Sequence, residues 1–152
     1  MSPVSHILTP GRTLCRAPIV SKKRLFETIA RLISEDQPTL PYDNVFDHLI
    51  EREQLGSTGL GEGIAIPHCR LSKCSDPLGA LVTLQEPIDF DAPDAVPVDL
   101  LFVLLVPEEA NQQHLDILAS IARLFSQPDY CRQLRAAQDN QTLFDCASSG
   151  VS

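Results

Sequence analysis

The chain has 152 residues, 43% of them hydrophobic, and a mean hydropathy of -0.00. That is the size of one globular domain, and no apolar run reaches the roughly 18 residues of a membrane span. Twenty carboxylates against twelve basic side chains leave a formal charge of -8, and there is no tryptophan. Such a chain has no general attraction for nucleic-acid phosphates and little surface for stacking bases.

The charge is uneven. Residues 1–31 hold six Lys and Arg against Glu27 alone, whereas residues 32–152 hold six against nineteen carboxylates. An acid-poor, Arg-bearing start has the charge of a transit peptide, but Pro3, Pro10 and Pro18 would break its amphipathic helix. Cys15, Cys69, Cys74, Cys131 and Cys146 are odd in number, scattered, and accompanied by no secretory apolar core. They are expected to be reduced thiols of a cytoplasmic protein.

Residues 1–20 read as an irregular or short-strand lead-in. Ser21 is expected to cap a helix running to about Ser34, with Leu25, Phe26, Ile29, Leu32 and Ile33 on one face. Gln37-Pro38 ends it. Pro41 opens a second helix to about Gln54, with Val45, Phe46, Leu49 and Ile50 on one face and His48 on the polar side. Gly56 to Gly63 reads as a loop. Ile64 to Ile66 reads as a short strand stopped by Pro67.

Leu78 to Gln85 alternates as a strand, and Glu86 to Pro97 is rich in turns. Val98 to Val106 (VDLLFVLLV) predicts a central strand buried on both faces. Asn111 to Ser126 predicts a helix with Leu115, Leu118, Ala119, Ala122 and Phe125 inward. Shorter helices are expected at Pro128 to Ala137 and Thr142 to Ala147, the latter capped by Asp139 or Asn140. Strands interleaved with helices indicate an α/β fold: a single domain over 1–152, with a mixed β-sheet flanked by helices.

The chemistry concentrates between Gly56 and His68. Four glycines in eight residues can bring backbone N–H groups toward one anion, and Ser57 and Thr58 add hydroxyls. Ser57, Thr58, Gly59, Gly61 and Gly63 are therefore candidate phosphate-cradle residues. The loop is neither a Walker A loop nor a dinucleotide fingerprint, because no Gly-Lys-Ser/Thr follows and a helix precedes it. His68 follows the strand end and Pro67. Neutral imidazole is an available nucleophile near pH 7, and beside a donor-rich loop it can attack phosphorus. Arg52 can fold back over the loop with a planar fork of donors, or simply pair with Glu51 or Glu53. His114 lies where the central strand meets the next helix, a place where α/β sites gather. His6 and His48 are assigned no role.

The string GSTGLGEGIAIPH, followed by PVDLLFVLLVP and then His114-Leu115, closely resembles enzyme IIA of the bacterial phosphotransferase system. The similarity is to its fructose/mannitol-like type, and especially to the nitrogen-regulatory branch, whose helix start Ser21-Lys22-Lys23-Arg24 also resembles. It runs from about residue 4 to 146. The resemblance implies a phosphoryl group carried on Nε2 of His68, with His114 as second active-site histidine and Arg52 as the arginine before the loop. It implies an HPr-like, nitrogen-type phosphocarrier as donor and regulated partners such as potassium-transport components or sensor kinases. It implies no cofactor, no metal, no nucleic acid and no membrane insertion.

Two alternatives accompany this reading. One is a sugar-specific, fructose-like enzyme IIA that passes phosphate to a separate enzyme IIB. The other is a binding module whose phosphorylation only selects partners. Cys69 stands where the family usually has glycine. A zinc site from His68, Cys69, Cys74 and His114 is a weak rival, because Cys-x4-Cys is at the loose edge of zinc spacing.

Overall fold

The computed structural model describes residues 3–109 and 112–149. A 3₁₀ turn at Pro10–Arg12 leads into strand β1 (Thr13–Ala17), then helices α1 (Lys22–Asp36) and α2 (Tyr42–Leu55). Strands β2 (Gly59–Gly61), β3 (Ile64–Ala65), β4 (His68–Leu71), β5 (Leu78–Ile88) and β6 (Val98–Pro107) follow. Helices α3 (Gln112–Phe125), α4 (Pro128–Ala136) and α5 (Asn140–Ser149) complete the described residues. The expected start of α3 at Asn111 lies outside them.

The strands form one mixed sheet in the order β1-β5-β6-β3-β2. β5 and β6 are antiparallel, while β1 runs parallel to β5 and both β3 and β4 run parallel to β6. β3 pairs with Leu100 and Leu101, and β4 pairs with Leu104 to Pro107, so the two follow one another along the same edge of β6. Side chains of β6 alternate between two cores. Leu101, Val103 and Leu105 pack with Phe26, Ile29 and Val45 of α1 and α2. Leu100, Phe102 and Leu104 pack with Ile121, Phe125, Tyr130 and Leu143 of α3, α4 and α5. Coverage on both faces suits the apolar run Leu100 to Val106 in its sequence.

The helix ends follow local chemistry. Ser21 adopts an extended backbone, and its hydroxyl accepts from Arg24 N at 3.2 Å. Asp139 Oδ1 accepts from Thr142 N at 2.8 Å at the start of α5. Both caps satisfy first-turn N–H groups that have no partner inside the helix.

Arg12, only 5% exposed, joins several segments. Its guanidinium donates to Gly79 O and Ile7 O, each at 2.9 Å, and pairs with Asp36 at the end of α1. A buried cation is tolerated because its donors are engaged and a carboxylate faces it.

Several expectations need correction. Only the first part of Gly56–Gly63 is loop; Gly59–Gly61 is strand β2, paired antiparallel with β3. The turn between them uses Glu62 at φ 58° and Gly63 at φ 83°, and positive φ at both positions is what a tight two-residue hairpin turn requires. β5 extends to Ile88 rather than ending at Gln85. His68 follows the end of β3, with Ile66 and Pro67 between, and itself begins strand β4. On α3 the buried residues are Ile121, Leu124 and Phe125. Leu118 and Ala122 are half-buried, whereas Leu115 and Ala119, expected inward, are exposed.

Candidate functional site

Proline has no N–H to give a sheet ladder. At Ile66-Pro67 the ladder along β6 is therefore interrupted, although Pro67 O still accepts from Leu104 N at 2.9 Å. Ile66 O instead meets the ring of His68, with Nδ1 at 2.8 Å. A carbonyl can only accept, so Nδ1 carries the hydrogen and Nε2 keeps its lone pair. Burial lowers the pKa of His68, and Arg52's charge lowers it further. The Ile66 bond and Glu53's charge raise it but do not reverse the net fall. At neutral pH the imidazole is uncharged, with Nε2 the nucleophilic atom.

His68 lies at an open edge of the sheet, where α2, β4 and α3 converge on a cavity of about 490 Å³. Arg52 enters from the last turn of α2, and its Nη1 donates to Gly56 O at 2.9 Å. Its guanidinium thus folds back onto the loop start rather than pairing with Glu51 or Glu53. His114 enters from the first turn of α3, and Arg70 from β4. Leu104 and Val106, at the C-terminal end of β6, form apolar wall. Leu55 (82% exposed) and Leu115 (51% exposed) also line it and remain open to solvent. The structure thus brings His68, His114 and Arg52 to one cavity. It adds His48 from α2. The available signal was spacing: His48 lies four residues before Arg52, on the same helical face.

The glycine loop is placed differently. Among the described residues, none of Ser57, Thr58, Gly59, Gly61 and Gly63 lines the cavity. Thr58 is buried, with its N at 3.2–3.3 Å and its Oγ1 at 2.7 Å from the Glu53 carboxylate. Glu53 also pairs with Lys22 Nζ at 3.0 Å, and that ammonium donates to Phe90 O at 2.8 Å and lies over the Phe90 ring. Gly59 N donates to Ser57 Oγ at 3.1 Å. Gly61 and Gly63 lie beside Asp94 and the Arg135–Asp99 pair. The Thr58 donors, together with Lys22, are engaged by Glu53, the residue after Arg52, and tie the loop to α1 and α2.

Cys69 is buried, and burial, followed by the neighbouring Cys74, pushes its thiol up to about 12. Cys74 is also raised, by burial first, and its thiol donates to Asp76 O at 3.0 Å. Among the described residues no three His, Cys, Asp or Glu side chains converge as a metal-binding group. No helix among the described residues is long and apolar enough to cross a membrane.

Residues 6–149 match the family described as "Phosphoenolpyruvate-dependent sugar phosphotransferase system, EIIA 2". A nitrogen regulatory protein of Pseudomonas aeruginosa is 50% identical over 141 residues, spanning 93% of this chain and 92% of that relative. The crystal structure of nitrogen regulatory protein IIA-Ntr from Neisseria meningitidis superposes with a TM-score of 0.87 at 39% identity, covering 96% of this chain and 99% of that one. The enzyme IIA mannitol structure from Escherichia coli shares the fold, with a TM-score of 0.74 at 15% identity over 92% of this chain and 98% of that one.

Proposed function

The chain belongs to the EIIA 2 family of the phosphoenolpyruvate-dependent sugar phosphotransferase system, in its nitrogen-regulatory branch, and on that premise we propose that it is a cytoplasmic phosphocarrier. In this proposal His68 accepts a phosphoryl group on Nε2 from an HPr-like, nitrogen-type phosphocarrier. The phosphorylation state then governs partner proteins, such as potassium-transport components or sensor kinases. The observation that carries the chemistry is the 2.8 Å contact of His68 Nδ1 with Ile66 O, which leaves Nε2 as the nucleophile.

The Nε2 lone pair forms the new N–P bond as the donor's N–P bond breaks, and that electron pair returns to the donor's ring nitrogen. No proton need cross between the two imidazoles. Phosphoryl transfer asks mainly for alignment and for positive charge near the oxygens. Arg52 and His114 are proposed to meet those oxygens. Ser57, Thr58, Gly59, Gly61 and Gly63 are proposed as the frame that holds the end of α2, and Arg52 with it, against β4. The exposed Leu55 and Leu115 at the cavity rim, within an acidic chain, suit docking of a small carrier with a positive surface. Added salt should then slow transfer by screening the encounter.

The test is incubation with phosphoenolpyruvate, enzyme I and the phosphocarrier. Wild type is expected to gain an acid-labile label that His68→Ala lacks. Equal, acid-stable labelling of both proteins would refute the assignment. Release of the label to an enzyme IIB would instead identify a sugar-transport role.

A further inference from the structure

Three of the chain's four histidines line the His68 cavity. His48 is the one outside the pattern that carried the resemblance. It precedes Arg52 by one helical turn, so both side chains leave α2 toward the same space. Its Nδ1 lies 2.8 Å from Asn44 O, one turn earlier. As at His68, a carbonyl partner places the hydrogen on Nδ1, and the ring nitrogen left for a ligand is Nε2.

This arrangement has a chemical consequence once a phosphoryl dianion occupies the cavity. Neutral His48 would offer that group only a lone pair, and the phosphoryl oxygens are themselves acceptors. A proton on Nε2 turns the same nitrogen into a charged donor. We propose that His48 is a third phosphoryl ligand, one that takes up a solvent proton on Nε2 when His68 is phosphorylated and donates it in a hydrogen bond to a phosphoryl oxygen. The inference rests on the phosphohistidine reading above and extends it, making phosphorylation of this protein a proton-coupled event.

The surrounding charges are Glu51 and Arg52 from α2, Arg70 from β4, and the imidazoles of His68 and His114. The Lys22–Glu53 pair lies behind Arg52 and is internally compensated. Arg52 and Arg70 line the same cavity as His48. An incoming dianion favours positive charge on every group that faces it. The coupling is reciprocal: a phosphoryl group that raises proton affinity at His48 must itself be held more firmly at lower pH.

The experiment measures the equilibrium of phosphoryl transfer from the phosphocarrier across pH 5.5 to 8, for wild type, His48→Ala and His48→Gln. One linked proton makes the equilibrium favour the phosphoprotein up to about tenfold more per pH unit of acidification. Both variants should lose that part of the slope. Glutamine should keep more of the phosphoprotein than alanine, because its amide donates without needing a proton. Imidazole NMR should show the His48 titration moving upward by about one pH unit or more on phosphorylation. An unchanged slope in His48→Ala, or a His48 titration indifferent to phosphorylation, overturns the proposal. His68→Ala in the same assay separates the two readings. If it still takes label, the phosphohistidine assignment fails. If it does not, and His48→Ala keeps the wild-type slope, only the role of His48 fails.

Discussion

Glu53 offers the sharpest test of how this fold holds its cavity. The carboxylate is 8% exposed and accepts from Thr58 N, from Thr58 Oγ1 at 2.7 Å and from Lys22 at 3.0 Å. In Glu53→Ala, Thr58 loses the acceptor for two buried donors, each costing about 1–3 kcal/mol when unsatisfied. Lys22 loses its counter-ion but keeps Phe90 O and some access to water. The total expected loss is about 3–4 kcal/mol, at the lower end for breaking a buried pair. For a chain of this length that corresponds to a Tm lower by roughly 6–16 °C. Thr58→Val, which leaves Lys22 and Glu53 paired, should cost about 1–2 kcal/mol. Urea titration measures both, and a double-mutant cycle should show that the losses are not additive. Glu53→Gln adds a readout of charge: because Glu53 raises the His68 pKa, its removal should move the His68 titration further down. If Glu53→Ala unfolds within about 0.5 kcal/mol of wild type at unchanged m, the clasp is not a structural element and the reasoning fails.

Other consequences follow from the same geometry. Burial raises the Asp36 carboxyl, but hydrogen bonds from Arg12 and Gln37, with Arg12's charge, outweigh it and leave its pKa below the ordinary value. Its contribution to stability is therefore complete at neutral pH and is lost as pH falls through the folded-state value. Asp36→Asn should flatten that acid limb in urea titrations, and an identical limb would remove the pairing from the account. Burial also depresses His68, so the unfolded chain binds more protons just below pH 6.5 and stability falls as pH drops through that window. His68→Gln should lose this component, as measured by Tm between pH 5 and 7. A Cys69 thiol near 12 leaves only about one part in ten thousand ionised at pH 8. Ellman's reagent should react with half-buried Cys15 and Cys146 first, and Cys69→Ser should retain phosphoryl transfer. Early labelling of Cys69, or loss of transfer in the serine variant, contradicts this. A Cβ at Gly79 would press on the Phe102 ring, with Cε2 at 3.0 Å. Gly79→Ala should then cost about 1–3 kcal/mol by overpacking, and a neutral result in urea would show that the ring can give way.

What the chain alone determined is local. Ser21 caps α1 because its hydroxyl lies within reach of a first-turn N–H whatever the rest of the fold does. The run from Leu100 to Val106 announces a strand with two covered faces, because no side chain in it is polar. His68 stood out by its place after the glycine-rich segment and Pro67, and the structure puts it in one cavity with Arg52 and His114.

What escaped the sequence depends on partners distant along the chain. β4 has only four residues, and its alternation, with Cys69 and Leu71 buried, is too short to mark it; it is a strand because β6 runs on to Pro107 and presents an edge there. The exposure of Leu115 on α3 depends on where the cavity opens, not on helical period. The glycine loop had the composition of an anion cradle, yet Thr58 turns to a carboxylate that only the docking of α1 on α2 buries beside it. His48 was a polar helix residue until α2, β4 and α3 closed around the space it faces. Sequence specifies each side chain's chemistry and short-range geometry. Which donors are already engaged, and which nitrogen is left for a ligand, is decided only when the sheet brings distant carbonyls and carboxylates within hydrogen-bonding distance.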